Sequence, residues 1–212
     1  MALPNYGIHA GYIGRLSPDA WNDTKLSPSE RLQTQREVYE FARNIADAHG
    51  FRRILDVGCG SGAKLVHWFP QPEFETVGTE TETGEAWLRR AYPDRQWLSS
   101  ENLEDTPPAA DLVLCADMIE HLHDPDPLLN YIARTGASRI IFSTPDRDSL
   151  DNPSGPPRNP CHAREWSAPE FHTYISTRFE VIRHFTACQK PVCDGGSTQV
   201  ILCRPKKGAD KL

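Results

Sequence analysis

Two features are missing from this 212-residue sequence, and each absence excludes a class of protein. No apolar stretch approaches the ~18–20 residues that a membrane-spanning helix needs, and the first residues lack the basic-then-apolar order of a signal peptide. We therefore expect a cytoplasmic protein that does not span a membrane. None of the six cysteines forms a C-x-x-C pair, so the sequence predicts neither a zinc ribbon nor a disulfide framework.

Clusters of basic residues are also missing. No run of Lys or Arg is longer than two residues, and 23 Lys and Arg stand against 29 Asp and Glu, which gives a formal net charge of −6. Affinity for nucleic acids rests on clustered Lys and Arg that contact phosphates. The composition therefore disfavours a nucleic acid as the main partner and favours a small-molecule substrate, and it leaves the oligomeric state open.

Proline, by contrast, is abundant and unevenly placed. The chain has 18 prolines, above the usual ~5%, and five of them fall between Pro145 and Pro160. The segment from Ser143 to Arg164 has no helical or strand periodicity over about twenty residues, and loops of that length in compact domains are usually functional or disordered. Its prolines restrict the unfolded chain, so we expect a stiff loop that forms a wall of the substrate site.

Three regions are predicted along the chain. Residues 1–49 comprise an irregular arm, rich in Gly and Pro with the aromatics Tyr6, Tyr12 and Trp21, and then a helix at about 29–49 that Gly50 stops; the arm could act as a lid. Residues 50–205 alternate apolar strands with amphipathic helices, and residues 206–212 form a tail. Such alternation predicts an α/β fold, a mostly parallel sheet with helices on both faces, and an antiparallel hairpin made by the last two strands.

The sharpest local signal is the segment LDVGCGSG, from Leu55 to Gly62, in which a buried strand enters a glycine-rich turn. Glycines let the backbone turn tightly and approach a ligand closely, and the following helix presents unpaired N–H groups. The spacing is G-x-G-x-G instead of the G-x-G-x-x-G of dinucleotide-binding folds. Glu80 ends the second strand, where a carboxylate can accept both hydroxyls of a ribose.

These residues resemble the class I S-adenosylmethionine (SAM) dependent methyltransferases over roughly residues 50–204. The resemblance implies a Rossmann-like sheet of seven strands with an antiparallel last strand, and SAM bound across the carboxyl ends of the first strands. It places the methionine part against the first strand and its glycine turn, the ribose at Glu80, and the adenine beside the residues after the third strand. The implied cofactor-binding residues are Asp56, Gly58, Gly60, Gly62, Glu80, Thr81, Glu101, Asn102 and Ala116.

A cluster of chemically active residues follows the fourth strand, in the segment Asp117-Met118-Ile119-Glu120-His121. If a helix begins at Asp117, residues 117, 120 and 121 are at i, i+3 and i+4 and share one face. Two carboxylates and an imidazole there would make half of a metal site. The neighbouring His123 is predicted to be a surface residue.

The proline-rich loop supplies a further candidate in Cys161-His162-Ala163-Arg164-Glu165-Trp166. Taken together, the two segments resemble the small-RNA 3′-terminal 2′-O-methyltransferases, and the first alone also resembles the ubiquinone-pathway O-methyltransferases. The resemblance implies that Asp117, Glu120, His121 and His162 bind Mg²⁺ or Mn²⁺, with Asp117 standing where the RNA enzymes have the longer Glu. Trp166 is predicted to be a packing anchor.

The sequence thus predicts a SAM-dependent O-methyltransferase that acts on a hydroxyl of a small metabolite such as a sugar, a catechol or a natural-product scaffold, assisted by a divalent cation. A metal oriented beside the methyl donor would both position the hydroxyl and lower its pKa. Three alternatives stay open: a metal-independent enzyme with His121 or His162 as the base, a methyltransferase of RNA 3′ ends, and a SAM-binding regulator without catalysis.

Overall fold

The structure, a computed structural model, describes residues 3–19, 26–101, 103–150, 152–188 and 197–206. Its strands are β1 (Arg53–Val57), β2 (Glu75–Glu80), β3 (Gln96–Ser99), β4 (Leu112–Ala116), β5 (Arg139–Pro145), β6 (Phe179–Cys188) and β7 (Ser197–Pro205). Its α-helices are α1 (Pro28–Gln33), α2 (Arg36–His49), α3 (Ala63–Trp68), α4 (Glu82–Ala91), α5 (Asp126–Ala133) and α6 (Ala168–Ile175).

The seven strands form one sheet in the order β3-β2-β1-β4-β5-β7-β6. Strands β1 to β5 pair in parallel, and β7 pairs antiparallel with both β5 and β6. The predicted seven-stranded sheet with an antiparallel last strand is confirmed. The last strand lies inside the sheet, between β5 and β6, and β6 forms the edge.

Helices cover both faces of this sheet, as predicted, because neighbouring residues of the buried strands point to opposite sides. Leu55 of β1 packs in a core cluster with Leu128 of α5 and Tyr174 of α6. Ile54, one residue earlier, packs in a second cluster that contains helices α2, α3 and α4. The carboxyl ends of β1, β2 and β4 therefore open between two packed layers, which is where ligands bind in open α/β sheets.

The helix predicted at about 29–49 is divided into α1 and α2. Ser27 caps α1 through a capping box with Glu30, and Gly50 ends α2 in a left-handed conformation, as the sequence indicates. The break lies at Gln35, whose φ of 56° is left-handed. The Gln35 side chain donates a hydrogen bond to the main-chain oxygen of Ala116 at 3.3 Å, so the break directs α2 toward the end of β4.

The N-terminal arm, residues 3–19, lies along the proline-rich loop. The main-chain nitrogens of Ile13, Arg15 and Asp19 donate to the oxygens of residues 154, 163 and 160 at 2.8, 2.7 and 2.9 Å. The arm thus adds backbone hydrogen bonds to a loop that has few of its own. A lid role for the arm stays a prediction; Trp21, Asn102 and the tail from 207 to 212 lie outside the described residues.

Among the described residues, no helix combines the length and apolar character required to cross a membrane.

Candidate active site

The glycine turn after β1 adopts the conformation that the motif predicts. Gly58, Gly60 and Gly62 have φ values of 75°, 56° and 68°, in the left-handed region that side chains with a Cβ adopt only at a cost. Gly58 has a second constraint, because a Cβ there would lie 2.4 Å from the Cγ of Met118. The turn therefore packs closely against the segment that follows β4, and we call residues 58–62 the glycine cradle.

Glu80 lies directly over this turn. Its carboxylate accepts hydrogen bonds from the amide of Gly60 at 2.8 Å and from the amide of Thr81 at 2.9 Å. Glu101, after β3, reaches the same edge and accepts a hydrogen bond from the amide of Glu82 at 3.2 Å. The ends of β1, β2 and β3 thus bring together most of the residues predicted to bind the cofactor; Ala116 ends the neighbouring β4, and Asn102 lies outside the described residues.

Asp56, at the end of β1, is completely buried. Tyr39 of α2 donates its hydroxyl hydrogen to Oδ2 at 2.7 Å, while Oδ1 is buried without a hydrogen-bond partner in the described part of the chain. Burial raises the pKa of this carboxyl to about 7. A buried acceptor that no described group satisfies, next to a glycine cradle, fits a ligand that carries hydrogen-bond donors, as SAM does.

Asp117 corrects one expectation: a helix does not begin there. The chain after β4 stays paired with β5, since the amide of Asp117 donates to the main-chain oxygen of Ser143 at 3.1 Å, and it then turns through a φ of 47°. Only a short 3₁₀ turn, Ile119–His121, follows. The Asp117 carboxylate accepts hydrogen bonds from the hydroxyls of Ser143 at 2.6 Å and Thr198 at 3.5 Å. It therefore faces β5 and β7 instead of sharing a helical face with Glu120 and His121.

Glu120, His121 and His162 are brought together. One ligand atom from each of these side chains lies within 4.8 Å of the others, and Asp117 is not a member of this group. Glu120 is completely buried and His162 is 5% exposed. One carboxylate and two imidazoles form a donor set that suits a divalent cation. Ligation by Asp117 stays a prediction.

The two histidines are oriented by different acceptors. Nδ1 of His121 lies 2.7 Å from the main-chain oxygen of Cys161, and Nδ1 of His162 lies 2.7 Å from Oε1 of Glu165. When Nδ1 donates its hydrogen to such an oxygen, Nε2 of a neutral ring carries the lone pair; the His121 ring also contacts the main chain of Asp117. Burial, reinforced by His162, lowers the pKa of His121 to about 4, so this imidazole is neutral, as a metal ligand must be.

One carboxylate oxygen of Glu120 has a hydrogen-bond donor, and the other has none among the described residues. Thr144 donates its hydroxyl hydrogen to Oε2 at 3.0 Å, but Oε1 is buried and has no hydrogen-bond partner among the described residues. Burial and the nearby Asp117 raise the pKa of Glu120 well above its ordinary value. A bound cation would satisfy this oxygen and stabilise the carboxylate, so the residues present fit a metal.

The proline-rich loop carries His162 to this group, as predicted. The amide of Ala163 donates to the main-chain oxygen of Glu120 at 2.8 Å, and the Arg164 guanidinium donates to the oxygens of Leu122 and His123, each at 2.6 Å. Trp166 is completely buried and stacks on Tyr174, so it is a packing anchor, and His123 is exposed.

Sequence reasoning missed the residues that hold the site residues in place: Gln35, Tyr39, Ser143, Thr144, Thr198, Tyr12 and Glu165. Most of them are distant in sequence from the residues they contact, so no local pattern marks them. Glu165 is the exception, because an acid three residues after a histidine is the pattern of a local pair.

The family model described as "Methyltransferase domain" matches residues 29–188 of this chain, which include the glycine turn, Glu80, the Glu120 turn and His162. The chain belongs to the methyltransferase domain family. A ubiquinone biosynthesis O-methyltransferase of Idiomarina loihiensis is 29% identical over 136 residues, which cover 59% of this methyltransferase and 55% of that protein. A small RNA 2′-O-methyltransferase of Mus musculus is 24% identical over 216 residues, which cover 86% of this chain and 53% of that protein. The chain thus spans about half the length of these curated relatives.

Solved structures agree on the fold of this methyltransferase. The methyltransferase domain of the bacterial protein CtHen1 has a TM-score of 0.63 at 18% identity, covering 82% of this chain and 98% of that one. The N-methyltransferase NodS of Bradyrhizobium japonicum, solved with S-adenosyl-L-homocysteine, has a TM-score of 0.60 at 14% identity. The match covers 82% of this chain and 88% of that one. The predicted Rossmann-like fold is confirmed, and so is the family of SAM-dependent methyltransferases.

Proposed function

We propose that this protein transfers the methyl group of SAM to a hydroxyl oxygen of a small metabolite, with the help of Mg²⁺ or Mn²⁺. A sugar, a catechol or a natural-product scaffold with neighbouring hydroxyls fits the proposal. The observation that carries it is the group of Glu120, His121 and His162, in which Glu120 and His162 are buried, His121 is half-buried, and the ligand atoms lie within 4.8 Å of one another. A buried carboxylate oxygen without a hydrogen-bond partner among the described residues, as in Glu120, is costly unless the group binds something.

The cofactor residues have separate tasks. SAM supplies a methyl group on a positively charged sulfur, which an oxygen nucleophile can attack in line. The backbone of the glycine turn would lie against the methionine part, and Asp56 offers beside it an oxygen that no described group satisfies. We assign the ribose hydroxyls to Glu80, because its carboxylate lies at the end of β2 against the amides of Gly60 and Thr81 and a carboxylate accepts hydroxyl hydrogens.

The residues of the metal-binding group position the acceptor, and they exclude water. A divalent cation held by Glu120, His121 and His162 would bind neighbouring hydroxyls of the acceptor and lower their pKa, because an alcohol is a poor nucleophile until its proton is removed. Thr144 fixes the carboxylate of Glu120, and Cys161 and Glu165 fix the two rings. Burial of Glu120 and His162 would limit the water that competes for the methyl group.

A metal-independent mechanism is the first rival, and one observation favours His162 over His121 as its base. A general base works best with a pKa near the working pH, and the pKa of His121 is lowered to about 4. His162 is the other imidazole of the group, and Oε1 of Glu165 orients its ring through Nδ1. In this mechanism His162 Nε2 accepts the hydroxyl proton directly.

RNA is the second candidate acceptor, and the length of the match to the mouse small RNA 2′-O-methyltransferase, 86% of this chain, favours it. A terminal ribose has two neighbouring hydroxyls, as the proposed metabolite does. The net charge of −6 and the absence of basic runs count against it. A SAM-binding regulator without catalysis is the remaining alternative, and the preformed Glu120 group counts against that one.

The test uses radiolabelled SAM with two sets of acceptors. One set contains catechols and sugars with neighbouring hydroxyls and their deoxy analogues, and the other contains short RNAs with an intact or a periodate-oxidised 3′ end. We expect label in a small diol, none in its deoxy analogue, and at least a 100-fold loss after EDTA treatment that Mn²⁺ restores. Label confined to RNA with an intact 3′ end would show that RNA, and not a small metabolite, is the acceptor. SAM binding without transfer to any acceptor would favour the non-catalytic regulator.

A further inference from the structure

A buried acid that the reaction itself does not need lies behind His162. Glu165 is completely buried, and its Oε1 lies 2.7 Å from Nδ1 of His162. Its second oxygen, Oε2, is also buried and has no hydrogen-bond partner among the described residues. Burying a carboxylate is costly, and leaving half of it unsatisfied is more so, unless the remaining contact serves a purpose. The contact with His162 is the one polar contact of this carboxylate in the described residues.

We infer that Glu165 is a positioning residue that sets the orientation and the tautomer of His162, and through them the affinity of the site for a divalent cation. This inference rests on the proposed function, because it assigns His162 a cation to bind. An imidazole has one lone pair in its neutral form, on whichever nitrogen lacks the hydrogen. While Glu165 accepts the hydrogen of Nδ1, Nε2 is the one nitrogen of His162 that can bind a cation.

The carboxylate also changes the strength of the ligand. An imidazole that donates to a carboxylate is a more basic metal ligand than one that donates to a neutral carbonyl, and loss of such a partner typically costs 10–100-fold in metal affinity. His121, whose Nδ1 faces the main-chain oxygen of Cys161, has the neutral kind of partner. The acceptor at Nδ1 is therefore different for the two histidines, and for His162 it is a side chain that a substitution can remove.

The main chain of Glu165 is held in place by one hydrogen bond at its amide and one at its carbonyl oxygen. Its amide donates to the hydroxyl oxygen of Tyr12 at 2.8 Å, and its main-chain oxygen accepts from the guanidinium of Arg147 at 3.1 Å. Arg147 is 3% exposed, lies over the ring of Tyr12 with 4.8 Å to its centroid, and forms an ion pair with Glu170 at 2.5 Å. These contacts come from the arm, from the segment after β5 and from α6, so the acid is supported by three parts of the chain.

The experiment measures Mn²⁺ binding by calorimetry and by the loss of the free-ion electron paramagnetic resonance signal, with S-adenosyl-L-homocysteine present. We expect Glu165→Ala to weaken Mn²⁺ binding 10–100-fold. Glu165→Gln, which keeps an oxygen acceptor but loses the charge, should lie between Glu165→Ala and the wild type. Affinity for S-adenosyl-L-homocysteine should stay within twofold in both. Asp148→Asn, which removes an exposed acid from the same loop, is the matched control and should leave Mn²⁺ binding unchanged.

A second measurement does not depend on the metal. Long-range ¹H–¹⁵N spectra of metal-free protein labelled at histidine should show His162 with its hydrogen on Nδ1 in the wild type and a shift toward the Nε2–H form in Glu165→Ala. Because Glu165→Gln is nearly isosteric, it keeps the test valid if the alanine variant does not fold.

The two proposals fail in different ways. Unchanged Mn²⁺ affinity and an unchanged tautomer in a folded Glu165 variant would overturn the positioning role and leave the proposed function intact. Wild-type protein that binds no Mn²⁺ would instead overturn the metal-assisted function, and the role of Glu165 in metal affinity with it.

Discussion

The main-chain oxygen of Glu120 accepts the amide hydrogen of Ala163 at 2.8 Å, which ties the turn after β4 to the loop that carries His162. Because both segments supply ligand atoms to the same group, this hydrogen bond fixes the distance between them without using either side chain. The arm adds a further layer through Tyr12. We therefore expect the site to be sensitive to changes at residues outside it.

Tyr12→Phe tests that sensitivity. The substitution keeps the ring but removes the acceptor of the Glu165 amide, so we expect the free energy of unfolding in urea to fall by about 1 kcal/mol. Tyr92→Phe, which removes a hydroxyl in the turn between α4 and β3, should change it by less than about 0.5 kcal/mol. Equal losses in the two variants would mean that the arm does not depend on this contact.

Gly58→Ala tests the cofactor cradle. The new Cβ would lie 2.4 Å from the Cγ of Met118, so we expect affinity for S-adenosyl-L-homocysteine to fall at least tenfold by calorimetry. Gly136 has a similar φ of 70° with nothing within 4 Å of an added Cβ. Gly136→Ala should therefore show the backbone cost alone, about 1–2 kcal/mol of stability, with unchanged affinity. An unaltered affinity in Gly58→Ala would place the cofactor elsewhere.

Two separate experiments test the metal-binding group: the variant His162→Ala and EDTA treatment of the wild type. Once an acceptor is identified, we expect the variant and the EDTA treatment each to lower the rate of methyl transfer at least 100-fold. Affinity for S-adenosyl-L-homocysteine should stay within twofold in both. His123→Ala, two residues beyond His121 and exposed, is the control and should be fully active. If EDTA has no effect while His162→Ala is inactive, His162 acts as a base and the metal-assisted mechanism is wrong.

Asp56 gives the metal-free protein a predictable dependence on pH. Burial raises its pKa to about 7 in the folded protein, from an unfolded value near 4. Between these values the folded state binds a proton that the unfolded chain has lost, so stability falls as the pH rises from about 4 to about 7. Between pH 5 and pH 7 this carboxyl should cost on the order of 2–3 kcal/mol.

Urea unfolding of the wild type and of Asp56→Asn at pH 5 and pH 7 checks the size of that cost. The asparagine cannot ionise, so its stability should change less over this interval, whereas Asp148→Asn, at an exposed position, should follow the wild type. Parallel pH profiles for the wild type and Asp56→Asn would mean that Asp56 keeps an ordinary pKa.

The sequence predicted the fold because the fold depends on local patterns. The strand before Gly58, the alternation of strands with helices and the end of α2 at Gly50 each follow from residues within a few positions of one another. The position of Glu80 at the end of the second strand was predictable for the same reason, and its role at the ribose stays a prediction.

The errors and omissions arise from contacts between distant residues. A helix beginning at Asp117 agrees with the local spacing, but pairing with Ser143, 26 residues later, keeps the backbone extended up to that point. Gln35 interrupts a good helical pattern where its side chain reaches Ala116, 81 residues away. Tyr12 and Glu165 are 153 residues apart. Such pairs are set by tertiary packing, which outweighs local preference.

The position of β7 between β5 and β6 has a consequence for how the protein is made. During synthesis, the outer edge of β5 stays without a partner until the final strand has left the ribosome, because β6 pairs with β7 and not with β5. Thr198 of that strand is also a partner of Asp117. A nascent chain that lacks β7 therefore exposes an unpaired, strongly apolar strand edge, which is prone to association with other chains.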